Sequence, residues 1–173
     1  KGAVSINHAL MKNLVSLLRR FQVIHISGTY GWKEIDENQK TLAPELTARY
    51  FAAPYLHDEM NAAFSAADLV ISRAGASTLG EFPAFGLPAI LVPYPYAWKY
   101  QKVNAEYLCS HGAAIMIEDQ NLSEQMDSAG TDSLANKKKL QSMGEKMAAL
   151  TVPDAAAHIY RLLEQSARKE RWN

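Results

Sequence analysis

The sequence is poor in cysteine, in net charge and in long apolar runs. Cys109 is the single cysteine in 173 residues, which excludes an internal disulfide framework and a cysteine-based zinc cluster and fits a reducing compartment. Lys and Arg together number 18, as do Asp and Glu, so the chain lacks the net positive charge typical of nucleic-acid-binding proteins. No apolar run approaches the ~18 residues that span a bilayer. We therefore expect neither a nucleic-acid partner nor a membrane-spanning helix.

The sequence also lacks an initiator methionine and a signal peptide. It opens at Lys1 and Gly2, and from this start we expect a fragment of a longer protein. Hydrophobic residues make up 48% of the chain, which is enough to bury a core. The length then predicts a single domain over residues 1–173.

Helical and strand-like patterns alternate along the chain. Apolar residues at helical spacing predict a helix over residues 5–20, and short β-branched or apolar runs predict the strands. The run at residues 68–72 is apolar without alternation, which is typical of a strand buried on both faces of a parallel sheet. We therefore predict an α/β fold, a Rossmann-like parallel sheet with helices on both faces. The predicted strands are residues 22–27, 49–53, 68–72, 88–93 and 113–117.

The first candidate site is the junction between a predicted strand and a predicted helix at residues 71–81. Its side chains are mostly small, so a ligand can approach the backbone amides, and the hydroxyls of Ser77 and Thr78 add donors. This combination suits a phosphate or diphosphate, and Glu81 could accept hydrogen bonds from the two hydroxyls of a ribose. The alternative is an ordinary helix with Glu81 on its surface. Pro83 should kink this helix or end it early.

The second candidate site is the proline- and tyrosine-rich loop at residues 93–100 and the helix that follows it. Gln101 and Asn104 are three positions apart, so they share one face of this helix near its start. Amide side chains both donate and accept hydrogen bonds, which suits them to sugar hydroxyls. The same two residues could instead only cap and solvate the helix.

Sequence motifs for metal binding or nucleophilic catalysis are missing. The five histidines are scattered without ligand spacing, and His25 in a predicted strand fits the core or an edge. The chain has no P-loop, no nucleophile elbow and no complete dinucleotide fingerprint. We predict no metal, no cofactor and no catalytic residue in this chain.

Taken in order, the two candidate segments resemble a known family. The pattern is similar to the donor-binding half of the peptidoglycan glycosyltransferases that add N-acetylglucosamine from UDP-N-acetylglucosamine (UDP-GlcNAc) to lipid I. The turn at Pro54, Tyr55 and Leu56 resembles the family's uracil-contacting turn, and Gly2 with Ala3 resembles the end of its first glycine-rich loop. The matching positions are Arg73, Gly75, Ala76, Thr78, Glu81, Gly86, Pro88, Pro93, Tyr94, Gln101, Asn104 and Ala105.

The resemblance implies the C-terminal half of an enzyme with two Rossmann-like domains, the GT-B architecture. The amides at the start of the Ala76–Thr78 helix would bind the diphosphate, and Glu81 would bind the ribose. The backbone at Leu56 or His57 would read the uracil, and Tyr100 and Gln101 would lie beside the sugar. Arg73 matches a family position without an implied role beyond the turn. The implied UDP-GlcNAc-binding residues are Leu56, His57, Arg73, Gly75, Ala76, Ser77, Thr78, Leu79, Gly80, Glu81, Tyr100, Gln101 and Asn104.

The resemblance also assigns functions to an N-terminal domain that this sequence does not contain. That domain would bind the lipid-linked acceptor, contact the inner face of the bacterial cell membrane from the cytoplasm and carry the base of an inverting transfer. The chain alone would then bind donor without transferring sugar. Two alternatives remain open, a related glycosyltransferase with another acceptor such as diacylglycerol, and a non-catalytic UDP-sugar-binding subunit of a split enzyme.

Overall fold

Short strands and helices alternate along the chain, as the sequence predicts. The computed structural model describes residues 3–96 and 99–170. The strands are β1 (Val23–Ile26), β2 (Tyr50–Ala53), β3 (Val70–Ser72), β4 (Ala89–Leu91) and β5 (Ala114–Met116). The helices are α1 (Val4–Leu18), α2 (Trp32–Gln39), α3 (Pro44–Thr47), α4 (Met60–Ala66), α5 (Thr78–Phe85), α6 (Tyr100–Ser110), α7 (Leu122–Ala135), α8 (Lys137–Ala148) and α9 (Ala155–Glu170), with a 3-10 turn at Asp119–Asn121.

All the described strand pairs are parallel, which confirms the predicted α/β class. β1 pairs with β2, and β4 lies between β3 and β5. The described strands form two hydrogen-bonded ladders. β1 is hydrogen-bonded to β2 along one edge, and β3 is hydrogen-bonded to β4 along one edge. No described strand pairs with the other edge of β1 or of β3.

Helices cover both faces of the three-stranded ladder. Ile90 of β4 and Val92, the residue after it, pack with α1 and α7, whereas Ala89 and Leu91 of β4 pack with α5, α6 and α8. All four side chains have no solvent exposure. Alternate residues of a strand point to opposite faces, so a strand buried on both sides reads as a continuous apolar run.

Helix α5 continues through its proline. Pro83 lies inside the helix, which runs on to Phe85 and ends at Gly86, a residue in the left-handed conformation (φ 57°). The expectation of an early end at Pro83 was therefore wrong. The carbonyl of Pro83 accepts hydrogen bonds from the Gly86 amide and from the hydroxyl of Thr151 after α8, which secures this end of α5.

The last helix presents its apolar side chains to solvent. Ile159, Leu162 and Leu163 of α9 are each about 60% exposed or more, so the apolar stripe that they form does not pack on the described residues. None of the described helices combines the length and apolar composition that a membrane span requires.

Candidate functional site

The predicted phosphate-binding turn connects β3 to α5 through residues 73–77. The hydroxyl of Thr78 donates to the carbonyl of Gly75 (2.6 Å), and the Thr78 amide points to the same carbonyl (3.2 Å). Thr78 is buried, so its hydroxyl closes the turn and is not a free donor. Ser77 is exposed, and its hydroxyl remains on the surface of the turn.

The backbone amides that remain available lie at the start of this turn. The amides of Leu79 and Gly80 donate to the carbonyls of Ala76 and Ser77, whereas no described residue accepts from the amides of Ala76 and Ser77 themselves. Unpaired amides at a helix N-terminus carry partial positive charge, which favours an anionic ligand. Glu81 is exposed one turn further along α5.

Each of the two amide side chains of α6 uses one of its two polar atoms in a hydrogen bond within the protein. Gln101 accepts a hydrogen bond from the backbone amide of Tyr94 (2.9 Å), and Asn104 donates to the carbonyl of Ala74 (3.0 Å). Both contacts bring α6 against the strand-end loops. Within the described chain, the Gln101 amide nitrogen and the Asn104 amide oxygen keep their remaining capacity for a ligand. Tyr100 is exposed at the start of the same helix.

Arg73 connects more elements than its motif position indicates. Its guanidinium donates to Asp119 (2.6 Å), to the Ser5 hydroxyl (2.7 Å) and to the carbonyls of Val92 (3.1 Å) and Pro93 (3.4 Å). The Arg73 side chain is 18% exposed and that of Asp119 23%. This partly buried cluster ties together the first turn of α1, the ends of β3 and β4, and the 3-10 turn after β5.

The predicted uracil-reading turn follows β2. The amide of His57 donates to the Glu59 carboxylate (3.3 Å), and the His57 carbonyl accepts from the Met60 amide (3.3 Å). No described residue bonds the backbone groups of Leu56, whose side chain is buried. Of the two positions that the resemblance implies, Leu56 therefore has the available hydrogen-bonding groups. The ring of Tyr55 meets the His57 ring edge-on, with centroids 4.8 Å apart.

An open cleft of about 1000 Å³ lies beside the β3–α5 turn and the start of α6. Arg73 and Gln101 are the predicted site residues that line it, together with Ser5 and His8 of α1. We call it the tyrosine cleft, because Tyr30, Tyr94 and Tyr96 form its aromatic walls, with Asp119 as its carboxylate.

The structure brings only part of the predicted set together. The carbonyl of Ala74, between Arg73 and Gly75, accepts a hydrogen bond from Asn104 of α6, but no described hydrogen bond or ring contact joins Leu56 or His57 to α5. Sequence reasoning missed Ser5 and Asp119. Asp119 follows the last strand of a parallel ladder, and the carboxyl ends of such strands are where ligands bind, so this position offered a usable signal.

Within residues 3–96 and 99–170, no group of three or more His, Cys, Asp or Glu side chains is placed to hold a metal ion. Gly2, Ala97 and Trp98 of the predicted segments lie outside the described residues.

Comparison with known proteins decides the family. Residues 1–159 match the model of the glycosyltransferase family 28 C-terminal domain. The chain belongs to this family. Membership confirms the resemblance drawn from the motifs, and a family 28 C-terminal domain agrees with the parallel α/β architecture described above.

The chain is similar to several named transferases. It is 37% identical, over 95% of its length, to the UDP-N-acetylglucosamine–N-acetylmuramyl-(pentapeptide) pyrophosphoryl-undecaprenol N-acetylglucosamine transferase of Desulforamulus reducens. It is 34% identical, again over 95%, to the transferase of the same name from Bacillus subtilis. The crystal structure of MurG from Acinetobacter baumannii superposes with a TM-score of 0.78 at 29% identity, covering 95% of this chain.

This family 28 domain corresponds to only part of those proteins. It covers 46% of the Desulforamulus and Bacillus transferases and 47% of the Acinetobacter structure. The chain thus spans about half the length of the relatives it matches.

Proposed function

We propose that this chain is the UDP-GlcNAc-binding domain of an inverting N-acetylglucosaminyltransferase that converts lipid I to lipid II in peptidoglycan synthesis. The acceptor would be lipid-linked, and a second domain would bind it at the inner face of the cell membrane. The names of the relatives and the shared family support this assignment. The alternatives with another acceptor, or with a separate acceptor-binding subunit, differ in that second domain only.

The observation that carries the proposal is the turn between β3 and α5. Its amides at Ala76 and Ser77 are without described partners, while Glu81 lies exposed one helical turn away. An anion-binding helix start beside a carboxylate that can accept two hydroxyl hydrogens matches a nucleoside diphosphate, with phosphate and ribose side by side.

The domain would act on the leaving group. The acceptor hydroxyl attacks the anomeric carbon, its new bond forms as the bond from that carbon to the diphosphate oxygen breaks, and UDP departs with the electron pair. Negative charge then grows on the diphosphate, where the Ala76 and Ser77 amides stabilise it without rearrangement. The hydroxyl proton would pass to a base on the acceptor-binding domain.

Calorimetric titration of the chain with UDP, UDP-GlcNAc and UDP-glucose tests the proposal. We expect all three to bind, UDP-GlcNAc more tightly than UDP-glucose, because Gln101 and Asn104 offer groups for the acetamido sugar. Glu81→Ala should weaken UDP at least about fivefold, since it removes the acceptor for two ribose hydroxyls.

Glu45→Ala is the matched control, because Glu45 is an exposed glutamate on α3, away from the turn. Its affinity for UDP should equal that of the unmodified chain. Absence of binding by all three ligands at millimolar concentration would overturn the proposal. Unchanged UDP affinity in Glu81→Ala would mean that the ribose lies elsewhere.

A further inference from the structure

Three side chains beside the proposed nucleotide-binding turn bond one another in a closed triangle. The Ser5 hydroxyl donates to Oδ1 of Asp119 (2.6 Å), and the Arg73 guanidinium donates to the same oxygen (2.6 Å). The other terminal nitrogen of Arg73 donates to the Ser5 hydroxyl (2.7 Å). The triangle joins the first turn of α1, the residue after β3 and the 3-10 turn after β5. Ser5 and Asp119 lie outside the sequence motifs, and the proposed function gives them no part.

Asp119 is the fixed member of this triangle. Its backbone carbonyl accepts a hydrogen bond from the Leu122 amide at the start of α7, and two residues earlier the Ile117 amide donates to the carbonyl of Leu91 in β4 (2.9 Å). The aspartate side chain is short, whereas the long arginine side chain loses more conformational freedom when it is ordered. The position of the Arg73 guanidinium therefore depends on its partners, and Asp119 is the partner that also compensates its charge.

The positive charge of Arg73 is compensated within the protein. Its side chain is 18% exposed and that of Asp119 23%, and removing one partner from an ion pair with so little exposure leaves the other charge uncompensated. The nitrogen that bonds Asp119 also donates to the carbonyls of Val92 and Pro93. Both terminal nitrogens of the guanidinium thus have protein partners. Although Arg73 directly precedes the anion-binding turn, its guanidinium is directed to Asp119.

The triangle anchors the beginning of the turn that the proposed function assigns to the diphosphate. Arg73 is the first residue after β3, and the next two residues are anchored as well. The Ala74 carbonyl accepts from Asn104 (3.0 Å), and the Gly75 carbonyl accepts from the Thr78 hydroxyl (2.6 Å). The two amides without described partners follow immediately in the same turn. Donors that are fixed in place before a ligand arrives bind it with a smaller loss of conformational freedom.

We propose that Asp119 is a positioning residue for nucleotide binding. Its carboxylate fixes the Arg73 guanidinium, Arg73 fixes the start of the β3–α5 turn, and the free amides of that turn then meet the diphosphate. The inference rests on the proposed function. It gives Arg73 an indirect part in binding, through a carboxylate of the protein and not through a phosphate of the ligand. Loss of Asp119 should therefore weaken the binding of the diphosphate and leave the binding of the nucleoside unchanged.

The ratio of UDP affinity to uridine affinity tests this proposal. UDP is titrated by calorimetry, and uridine by nuclear magnetic resonance of the isotope-labelled chain, which detects weak binding. A variant that only unfolds part of the population lowers both affinities by one factor and leaves their ratio unchanged. Asp119→Ala should lower the ratio about fivefold, which corresponds to roughly 1 kcal/mol. Asp119→Asn should keep it within about twofold, since an amide oxygen still accepts both hydrogen bonds.

Two further variants separate this role from a general loosening of the fold. Asp127→Ala is the matched control, because it removes a second aspartate–arginine pair of α1, the pair with Arg20 at the exposed contact with α7. Its UDP-to-uridine ratio should equal that of the unmodified chain. The double variant Arg73→Met, Asp119→Leu replaces the ion pair by apolar side chains, which are tolerated where a single unpaired charge is not. It should lower the ratio as much as Asp119→Ala does.

An unchanged ratio in Asp119→Ala, or in the double variant if the single variant does not fold, would overturn the proposal. So would a fall in Asp119→Asn as large as the one in Asp119→Ala. A raised ratio in Asp119→Ala would also overturn it, because Asp119 would then compete with the diphosphate for Arg73. An equal fall in Asp127→Ala would assign the effect to the docking of α1 as a whole, against the proposal. Failure of the unmodified chain to bind UDP removes the nucleotide assignment, whereas any of these results with UDP bound removes the role of Asp119 alone.

Discussion

The buried side chain of His25 on β1 is hydrogen-bonded at both ring nitrogens. Its Nδ1 lies 2.7 Å from the Tyr50 hydroxyl, and its Nε2 lies 3.1 Å from the amide oxygen of Asn7. The Asn7 nitrogen donates to the Ser27 carbonyl, which orients its oxygen toward the imidazole. His25 is therefore neutral, with the proton on Nε2, and burial lowers its pKa from 6.5 to about 4.

This lowered pKa predicts a loss of stability in acid. The unfolded chain binds a proton at His25 below about pH 6.5, whereas the folded chain does so only near pH 4. The free energy of unfolding should therefore be highest above pH 6.5 and fall, by an amount on the order of 3 kcal/mol, as the pH drops to 4. Urea unfolding at several pH values measures this slope.

Paired variants assign the slope to one histidine. His25→Gln should be less stable at pH 7 but should lose less stability between pH 6.5 and 4. His158→Gln alters an exposed histidine on α9 and should keep the original slope. An unaltered slope in His25→Gln would show that other groups cause the acid sensitivity.

For single residues, the sequence predicted which side chains lie near each other better than it predicted their hydrogen-bond partners. The shared face of Gln101 and Asn104 followed from helical spacing alone. Spacing could not show that a loop amide would bond Gln101 and that Asn104 would bond a loop carbonyl. Tyr94 and Ala74 meet α6 only after the strands have aligned. Arg73 likewise acquires its role from Asp119, 46 positions away.

Among the elements, α5 and α8 meet at a contact between two glycines. A Cβ atom on Gly144 of α8 would lie 2.9 Å from the backbone carbonyl oxygen of Gly86, at the end of α5. Backbone cannot yield as a flexible side chain does, so the two helices would have to separate.

We therefore expect Gly144→Ala to lower the free energy of unfolding by about 1–2 kcal/mol, despite the better helix propensity of alanine. Gly130→Ala is the matched change, because a Cβ at this position in α7 meets nothing within 4 Å. It should raise stability by up to about 1 kcal/mol. Thermal unfolding of both variants measures the difference, and equal effects would contradict the contact.

The elements themselves were largely predictable, because hydrophobic periodicity is local. The five strands lie where β-branched or apolar runs stand in the sequence. The order in which strands pair was not predictable, since it depends on atoms distant in sequence. Local patterns also could not show that α9 leaves its apolar stripe exposed, because periodicity identifies an apolar face without naming what covers it.

For the whole molecule, the exposed apolar side chains of the β1–β2 ladder have a consequence for association. Ile24 of β1 and Phe51 of β2 are opposite each other in the ladder and are 43% and 55% exposed. Neighbouring exposed apolar side chains favour contact with another chain. We expect the isolated domain to self-associate as its concentration rises, and Ile24→Lys to reduce this, as sedimentation velocity can measure.

The exposed stripe of α9 offers a competing explanation, and Ile159→Lys tests it. Ile159 is 60% exposed on that helix. If Ile159→Lys dissociates the assemblies and Ile24→Lys does not, association runs through α9 and the prediction for the β1–β2 ladder is wrong.

The junction of α1 with α7 also shapes how the chain reaches its native state. Each ladder joins segments that are close in sequence, whereas Ser5 and Asp119, which meet at this junction, are 114 positions apart, and the Arg20–Asp127 pair spans 107. Closing so long a loop costs entropy before any contact compensates for it. The pairs within each ladder can therefore form early, and the tyrosine cleft, which needs Ser5 beside Arg73 and Asp119, forms only when the start of α1 meets the 3-10 turn after β5.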